Sequence, residues 1–443
     1  MRTLISNPTI VNNGEQFRGS VIIENDIIAE IIRGEEIPQG NFDNIIDAKG
    51  MFLIPGVIDD HVHFREPGLT EKATIASESR AAAAGGVTSF MEMPNTKPQT
   101  TTLEALKEKY EIAAKESVVN YSFWFGATTN NSHLFESLDK EKVCGIKLFM
   151  GASTGNMLVD GNNALEEIFQ KATLPIAVHC EDSAIITENA RRIQQEVGDD
   201  PDVTYHPQIR SREACYESTK KAIELAKRFD ARLQIMHIST KEELTLLEQG
   251  DNKKITAEVT PAHLLFCDKD YKTLGNKIKC NPAIKSVSDR EALRAAVKED
   301  KIDIFGTDHA PHRTEDKQGG ALRAASGIPT IQFTLRAMLQ LCDENIFTIE
   351  TIIEKMCHAP ARIFDIDRRG YIKEGYYADI VLLQQGNTQP VAKEEIKSKC
   401  GWSPFEGSTF NWSVVQTWVN GSCVYSNGKI ADNAQGRAIT FNR

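Results

Sequence analysis

Eight short apolar runs alternate with helical or loop segments between residues 50 and 310, and this repeat constrains the fold more than any other feature. Among the intervening segments, "TEKATIASESRAAAAGG" is rich in alanine and closes on glycines, whereas "TLEALKEKYEIAAKES" and "SDREALRAAVKED" begin with Thr or Ser, which cap helices. Strand and helix repeated eight times predict an α/β protein with a (β/α)8 barrel of the TIM type over residues 51–364. The longest connection, between the fifth and sixth strands, should hold more than one helix. The apolar runs are "FLIPGVID", "VTSFMEM", "VVNYSFWFGA", "VCGIKLFM", "LPIAVHC", "ARLQIMHI", "KITAEV" and "KIDIFGTD".

The two ends of the chain differ from the middle, because their strand-like segments have no helices between them. The N-terminal end contains "VIIENDIIAEII", and the C-terminal end contains "ADIVLL" and "VVQTWVNGSCVYSNGKI", whose Asn-Gly steps are hairpin signals. We predict that residues 1–50 and 365–443 together form a small composite β domain. Two unrelated decorations are the alternative, but each would leave exposed edge strands.

Composition restricts the partners and the compartment. The formal net charge is -11 and no block of Lys and Arg is present, which argues against binding to nucleic acid or to an acidic membrane surface and favours a small-molecule substrate. Nine scattered cysteines, an N-terminus without a signal-peptide pattern and the lack of an apolar run of about 18 residues indicate a reduced, cytoplasmic protein without a membrane segment. We expect a homo-oligomer.

The segment "PGVIDDHVHFREPG" ends the first apolar run with Asp59, His61, His63 and Arg65. Alternate residues of a strand share one face, so these four side chains would point the same way if the extended conformation persists. Other apolar strands are also broken by polar residues at or near their C-terminal ends, where barrel enzymes build their sites. These residues are Lys147 in the fourth strand, His179 in the fifth, His237 in the sixth and Asp308 in the eighth.

This convergence predicts a metal site. Imidazole suits zinc, and four histidines with one aspartate supply more ligands than a single tetrahedral site needs, so we predict a centre of two zinc ions. An ammonium has no lone pair to offer, but Lys147 carbamylated by carbon dioxide would be an anion with two oxygens able to bridge two metals. That modification is a hypothesis. Four further histidines are predicted to be structural: His133, His206, His263 and His358.

These residues resemble the cyclic amidohydrolases of the amidohydrolase superfamily and, within it, most of all the dihydroorotases of the longer bacterial type. The resemblance covers most of the chain, in "GVIDDHVHFREPG", "FMEMPNTKP", "GIKLFMG", "VHCED", "MHIST", "VTPAHLL", "CNPAIK", "GTDHAPH" and "GYIKEGYYADIVLL". It implies a (β/α)8 barrel with a composite β domain, and reversible conversion of dihydroorotate to N-carbamoyl-L-aspartate in pyrimidine synthesis.

The resemblance also implies roles for individual residues. His61, His63 and Asp308 would hold the buried metal, His179 and His237 the second, and carboxylated Lys147 would bridge them. Some long-type dihydroorotases have an aspartate as the ligand between the metals, so Lys147 favours the lysine-bridged form.

Hydrolysis of a ring amide needs an activated water, a polarised carbonyl and a proton for the departing nitrogen. A hydroxide bridging the metals would be the nucleophile, and Asp308 would act as general acid and base. The Arg65 guanidinium can bind the substrate carboxylate bidentately. By resemblance, Asn95 and His312 occupy the other carboxylate-binding positions, and Asn281 helps to hold the ring or its amide.

Three alternatives stay open. An allantoinase or a hydantoinase (dihydropyrimidinase) would share the metals and the barrel, but would not need the carboxylate-binding residues. A non-catalytic scaffold would have lost metal ligands, and a phosphotriesterase-like hydrolase would have no use for a carboxylate site. Residues 313–329, "RTEDKQGGALRAASGIP", follow the eighth strand and form either a mobile lid or a solvated connection.

Overall fold

The computed structural model describes residues 1–151 and 157–443. Its strands, in chain order, are β1 (Arg2–Ser6), β2 (Thr9–Asn12), β3 (Glu15–Glu24), β4 (Ile27–Arg33), β5 (Asn44–Asp47), β6 (Phe52–Pro55), β7 (Val57–Val62), β8 (Val87–Glu92), β9 (Asn120–Gly126), β10 (Gly145–Met150), β11 (Ile176–Cys180), β12 (Leu233–Ile235), β13 (Ile255–Val259), β14 (Ile304–Phe305), β15 (Ile380–Pro390), β16 (Thr409–Val419), β17 (Ser422–Ser426) and β18 (Lys429–Ile430).

The helices follow the predicted pattern. Side chains of Thr74, Thr102 and Ser286 cap α1 (Ile75–Ala84), α2 (Leu103–Glu116) and α9 (Val287–Lys298). The cap of α9, Ser286, lies two residues before the predicted cap, Ser288. The connection between β11 and β12 holds three α-helices, as predicted. The helices are α1 (Ile75–Ala84), α2 (Leu103–Glu116), α3 (Asn162–Lys171), α4 (Ser183–Val197), α5 (His206–Ile209), α6 (Arg212–Phe229), α7 (Pro261–Leu265), α8 (Tyr271–Leu274), α9 (Val287–Lys298), α10 (Thr334–Asp343), α11 (Ile349–Ile353) and α12 (Ala359–Ile363).

Strands β7 to β14 form the predicted parallel barrel, and each predicted apolar run contains one of them. Neighbours in sequence are neighbours in the sheet. A parallel bridge between Val62 and His309, and a hydrogen bond of 2.8 Å from the His63 N–H to the His309 carbonyl, join the first strand to the chain just after the eighth. The C-terminal ends of all eight strands therefore meet at one mouth.

The two ends of the chain form a second sheet together, as predicted. Strand β6 pairs in parallel with β2 and antiparallel with β15, and so joins the N-terminal strands to the C-terminal ones. The first predicted run, "FLIPGVID", thus contains two strands that belong to different sheets, β6 and β7. The division of the chain into residues 1–50 plus 365–443 and residues 51–364 stays a prediction.

Both predicted Asn-Gly turns are hairpins of this sheet. Asn420 and Gly421 connect β16 to β17, and Asn427 and Gly428 connect β17 to β18. All four residues have positive φ, which the tight two-residue hairpin turns require and which Asn and Gly adopt most easily.

A cluster of apolar side chains packs within the barrel below its mouth. Ile58, Met91, Trp124 and Ile304 belong to one buried cluster, which continues to Phe441 near the end of the chain. Backbone hydrogen bonds hold this last segment against the barrel. In one of them the Ile439 N–H donates to the Tyr121 carbonyl (2.9 Å). This apolar cluster therefore lies beneath the polar residues of the mouth. Within the described residues no helix is long and apolar enough to cross a membrane.

A buried polar network joins the barrel to the terminal sheet around Asp379. Its carboxylate forms an ion pair with Arg369, and the two side chains are 2% and 3% exposed. It also accepts a hydrogen bond from Asn120 Nδ2 (3.0 Å) and one from the Asn420 backbone N–H (2.7 Å). Asn120 lies on barrel strand β9, and Asn420 lies in the β16–β17 turn, so one carboxylate links both sheets.

Replacing Asp379 by alanine should lower the free energy of unfolding by about 3 to 5 kcal/mol, because it leaves Arg369 as an unpaired buried charge. Chemical denaturation measures this loss. The control is Arg437→Ala, which removes an exposed ion pair with Asp26 (2.7 Å) and should cost less than about 1 kcal/mol. Equal effects of the two substitutions would contradict a linking role for Asp379.

Candidate active site and metal centre

All ten residues predicted for the site surround one cavity at the C-terminal ends of the barrel strands. Their side chains come from loops and strands up to 251 positions apart, which the barrel closes into one ring. The lining includes His61, His63, Arg65, Asn95, Lys147, His179, His237, Asn281, Asp308 and His312. The structure thus brings the predicted residues together, while their roles stay predictions.

The first donor group consists of His61, His63 and Asp308. Oδ1 of Asp308 lies 3.3 Å from Nε2 of His61 and 3.1 Å from Nε2 of His63. One donor atom from each residue lies within 4.8 Å of the others, so this group can hold a metal ion. Burial lowers the pKa of His61 and of His63 to about 4, and both imidazoles are therefore neutral and able to donate a lone pair at neutral pH.

The second donor group consists of His179 and His237, whose Nδ1 and Nε2 atoms lie 2.9 Å apart. His179 lies in β11, and His237 follows β12 by two residues. The rings of His61 and His237 have centroids 5.3 Å apart, so the two donor groups are neighbours. Burial lowers the pKa of both histidines of the second group, and they too are available as neutral ligands.

Lys147 lies in β10 with 0% exposure, and its Nζ is 2.9 Å from the sulfur of Met236. Burial lowers the pKa of its amine, against the attraction of Glu258 and Asp308. Burial is the main cause of the lowered pKa of His61 and of His179, and the charge of Lys147 lowers both pKa values further. Lys147 therefore acts on both donor groups at once. A buried amine with a lowered pKa is more readily neutral, which is the form that reacts with carbon dioxide.

Three site residues adopt backbone conformations that are uncommon outside glycine. The φ angles are 70° at Arg65, 41° at His237 and 46° at Asp308. Such angles are concentrated at functional sites, where the surrounding structure holds them in place. Because β7 ends at Val62 and the chain turns at Arg65, the extended conformation assumed for "DDHVHFR" does not persist. Asp59 accepts hydrogen bonds from N and Oγ1 of Thr307 (3.0 and 2.6 Å), next to Asp308.

Arg65 and His312 form one wall of the cavity. The guanidinium donates through Nε to the Pro311 carbonyl (3.1 Å), and its Nη2 lies 3.1 Å from Nε2 of His312. On the opposite side of the imidazole, the Lys72 ammonium lies 3.3 Å from Nδ1. Burial, Arg65 and Lys72 lower the pKa of His312 far below its usual range, so His312 is neutral between two cations.

Asn95 and Asn281 complete the predicted lining. Oδ1 of Asn95 is 2.8 Å from Nδ1 of His63, so Asn95 orients a metal-site histidine in addition to lining the cavity. The side-chain oxygen of Asn281 is buried, and in the part of the chain that the structure describes it meets no hydrogen-bond partner. A buried acceptor of this kind is available to a ligand.

Hydrogen bonds from Lys317 hold the segment 313–329 against the neighbouring part of the chain. Its ammonium donates to the carbonyls of Lys279, Ala325 and Gly327 at 3.1, 2.8 and 2.9 Å. Ser326 and Gly327 of the segment line the cavity. The segment 313–329 is therefore part of the site, and whether it opens as a lid stays a prediction.

The four histidines predicted to be structural are not among the described residues that line this cavity. Nε2 of His206 bonds to the Cys280 carbonyl (2.9 Å), and Nε2 of His263 bonds to the Pro282 carbonyl (3.0 Å). His358 bridges the Gly370 carbonyl and the Asn13 backbone N–H. His133 is exposed.

Three charged residues at the site were missed by the sequence reasoning. Lys72 beside His312 has no pattern around it that signals a site. Glu181 follows His179 in "VHCED"; its Oε2 lies 2.9 Å from Nε2 of His179, and it pairs with Arg210. Burial raises the pKa of Glu181, but Arg210 and His179 outweigh burial and hold it at about 2. Glu258 in "AEV" contacts His61, and an acidic residue at the end of an apolar strand is the signal that could have found it.

Comparison with known proteins identifies the same family as the sequence motifs. A model of the "Amidohydrolase family" matches residues 52–424. A dihydroorotase of Methanosphaera stadtmanae is 32% identical over 410 residues, with 91% of this chain and 92% of that protein covered. An allantoinase of Bacillus velezensis is 31% identical over 435 residues, with 96% and 94% covered.

Among solved structures, an L-hydantoinase (dihydropyrimidinase) from Arthrobacter aurescens has a TM-score of 0.94 at 26% identity, with 99% of both chains covered. The named relatives thus carry three different activity names, and the solved structure shares the fold of this chain. The family match extends over most of the chain and includes every predicted metal ligand. This chain therefore belongs to the amidohydrolase family.

Proposed function

We propose that this protein is a dihydroorotase, which reversibly hydrolyses the ring amide of (S)-dihydroorotate to N-carbamoyl-L-aspartate in pyrimidine synthesis. The observation that carries the proposal is the cationic wall beside the donor groups, where Arg65 and Lys72 flank a neutral His312. Dihydroorotate bears a carboxylate on its ring, and a guanidinium binds carboxylates bidentately. The identity of about 32% to dihydroorotases over most of the chain supports the same substrate.

The donor set fits two zinc ions. His61, His63 and Asp308 would hold one, His179 and His237 the other, and carboxylated Lys147 would bridge them. The neutral imidazoles and the buried Lys147 in the lining of the same cavity are the observations that support this arrangement. Zinc, when bound, lowers the pKa of its water toward about 7 and polarises a carbonyl as a Lewis acid.

Asp308 is the proposed general base and acid. Its Oδ1 faces both imidazoles of the first donor group, which leaves the second carboxylate oxygen to take a proton from the attacking water. Burial raises the pKa of Asp308, but His61 and His63 outweigh burial and hold it at about 2, so the carboxylate begins the reaction as a base. It then returns the proton to the departing ring nitrogen.

Arg65, His312 and Asn95 are proposed to hold the substrate carboxylate, and Asn281 to accept from the ring amide. Because Nε and Nη2 of Arg65 already face the Pro311 carbonyl and His312, the substrate carboxylate would meet the Nη1–Nη2 edge of the guanidinium. Arg65 lines the same cavity as the donor groups.

Hydantoinase or allantoinase activity is the second candidate. The TM-score of 0.94 to an L-hydantoinase and the identity of 31% to an allantoinase favour it. A neutral ring such as hydantoin offers no carboxylate to Arg65, and this difference separates the two candidates. A non-catalytic scaffold is disfavoured, because each predicted donor lies beside the cavity.

Replacing Arg65 by methionine should lower kcat/KM for dihydroorotate by at least roughly tenfold to hundredfold. A charge-assisted hydrogen bond is worth about 1.5 to 3 kcal/mol, and bidentate geometry adds to it. Turnover of hydantoin, if wild-type protein supports it, should change little, and the zinc content should not change.

The matched control is Arg313→Met, which removes an exposed guanidinium paired with Asp316 (2.8 Å) only two positions after Pro311. It should leave both activities intact. Undiminished dihydroorotate turnover in Arg65→Met would contradict the carboxylate site and favour the hydantoinase or allantoinase candidate.

A further inference from the structure

Glu258 lies on β13, the seventh barrel strand, and has no role in the proposed ligand set. Its side chain is 0% exposed and contacts one residue from each donor group. We propose that Glu258 is a positioning residue that orients His61 and His237 together and so couples the two metal positions. This inference rests on the proposed metal centre.

The first contact fixes the imidazole of His61. Oε1 of Glu258 lies 2.9 Å from Nδ1 of His61, and Nε2 of the same ring faces Asp308. A carboxylate that accepts from Nδ1–H selects the tautomer whose lone pair is on Nε2, the nitrogen directed at the donor group. Both side chains are buried, so the choice of tautomer depends on protein atoms rather than on bulk solvent.

The second contact fixes the backbone of His237. The same Oε1 accepts the His237 backbone N–H at 3.0 Å. With a φ of 41°, His237 adopts a conformation that costs free energy in a non-glycine residue, and a buried hydrogen bond at its own N–H stabilises it. That conformation directs the ring toward His179, where the two ring nitrogens are 2.9 Å apart.

The space for this carboxylate is provided by Gly306, the residue directly after the neighbouring strand β14. A Cβ added at Gly306 would lie 2.4 Å from Oε2 of Glu258 and 2.9 Å from Oδ1 of Asp60. Any larger residue at position 306 would push Glu258 away from its two contacts. Glu258 therefore packs closely against Gly306, and its Oε1 contacts one residue of each donor group.

The test is the zinc affinity of Glu258→Gln, measured by dialysis against a graded chelator with zinc counted per chain. The cobalt-substituted protein gives a second readout, because its visible absorption reports ligand geometry without any substrate. We expect zinc affinity to fall about 10- to 100-fold and the cobalt spectrum to change, as is typical when the partner of a ligand histidine is altered. Glu258→Asp, which keeps the charge but shortens the side chain, should act in the same direction and serves if the glutamine variant does not fold.

The matched control is Glu243→Gln, another buried glutamate, which accepts from the backbone of Ser239 (3.2 Å) and Thr240 (3.1 Å) in the segment after β12. It should keep wild-type zinc affinity. Wild-type affinity and spectrum in folded Glu258 variants, or equal losses in the Glu243 control, would overturn the positioning role. Failure of the wild-type protein to bind zinc would instead overturn the metal centre and this role with it.

Discussion

Replacement of Lys147 by alanine should remove most of the bound zinc and nearly all turnover of dihydroorotate. Lys147 is fully buried and its charge acts on His61 and His179, one residue of each donor group, so its removal should abolish the proposed bridge. Changes outside the ligand sphere typically cost about 10- to 100-fold in metal affinity or activity, and loss of a direct ligand should exceed about 100-fold. Zinc per chain and steady-state turnover, measured on the same sample, check this expectation.

Addition of acetate, propionate or bicarbonate to Lys147→Ala should restore part of the activity, since a small anion can occupy the vacated bridge. The control is Lys355→Ala, which removes another buried lysine, paired with Asp300 at 2.8 Å and remote from the cavity. That variant should lose stability but keep its zinc. A crystal structure of the zinc-loaded protein with an unmodified Lys147 amine away from both ions would contradict the bridging role.

Asp308→Asn should reduce turnover of every cyclic amide tested, by about 10²- to 10⁴-fold, the usual contribution of a general acid or base. Asparagine keeps the shape of the side chain but has no basic oxygen, and it also weakens a metal ligand. The effect should be the same for dihydroorotate and for a neutral ring, unlike that of Arg65→Met. Parallel kcat measurements on both substrates make the comparison.

Asp303→Asn is the control for Asp308→Asn, because Asp303 lies at the opposite end of the same barrel strand, paired with Lys253 at 3.0 Å. It should leave kcat unchanged. If Asp308→Asn kept wild-type turnover, the proton would have to pass through another residue.

The barrel and the gathering of the candidate ligands at its mouth were predictable for one physical reason. Polar side chains such as His179 and Lys147 interrupt strands that are otherwise apolar, and a parallel barrel collects the ends of such strands at one mouth. The division of "FLIPGVID" between two sheets was not predictable in the same way. β6 and the first residues of β7 are both apolar and mostly buried, and the pattern does not show which partners each strand takes.

The supporting residues were missed because their contacts are distant in sequence. Glu258 lies 197 residues from His61, and Lys72 lies 240 residues from His312. A lysine in a polar loop, such as Lys72, is typical of a solvated surface. Glu258 stands out in an apolar strand, but the sequence around it does not show which residues it contacts. Only the folded barrel brings these charges beside the predicted site.

The most direct test of the proposed function is to assay the purified wild-type protein with dihydroorotate, allantoin and hydantoin side by side, with metal content determined on the same sample. We predict that dihydroorotate has the highest kcat/KM of the three and that about two metal ions are bound per chain. Preferred turnover of allantoin or hydantoin, or a metal-free protein without activity on any of them, would contradict the proposal.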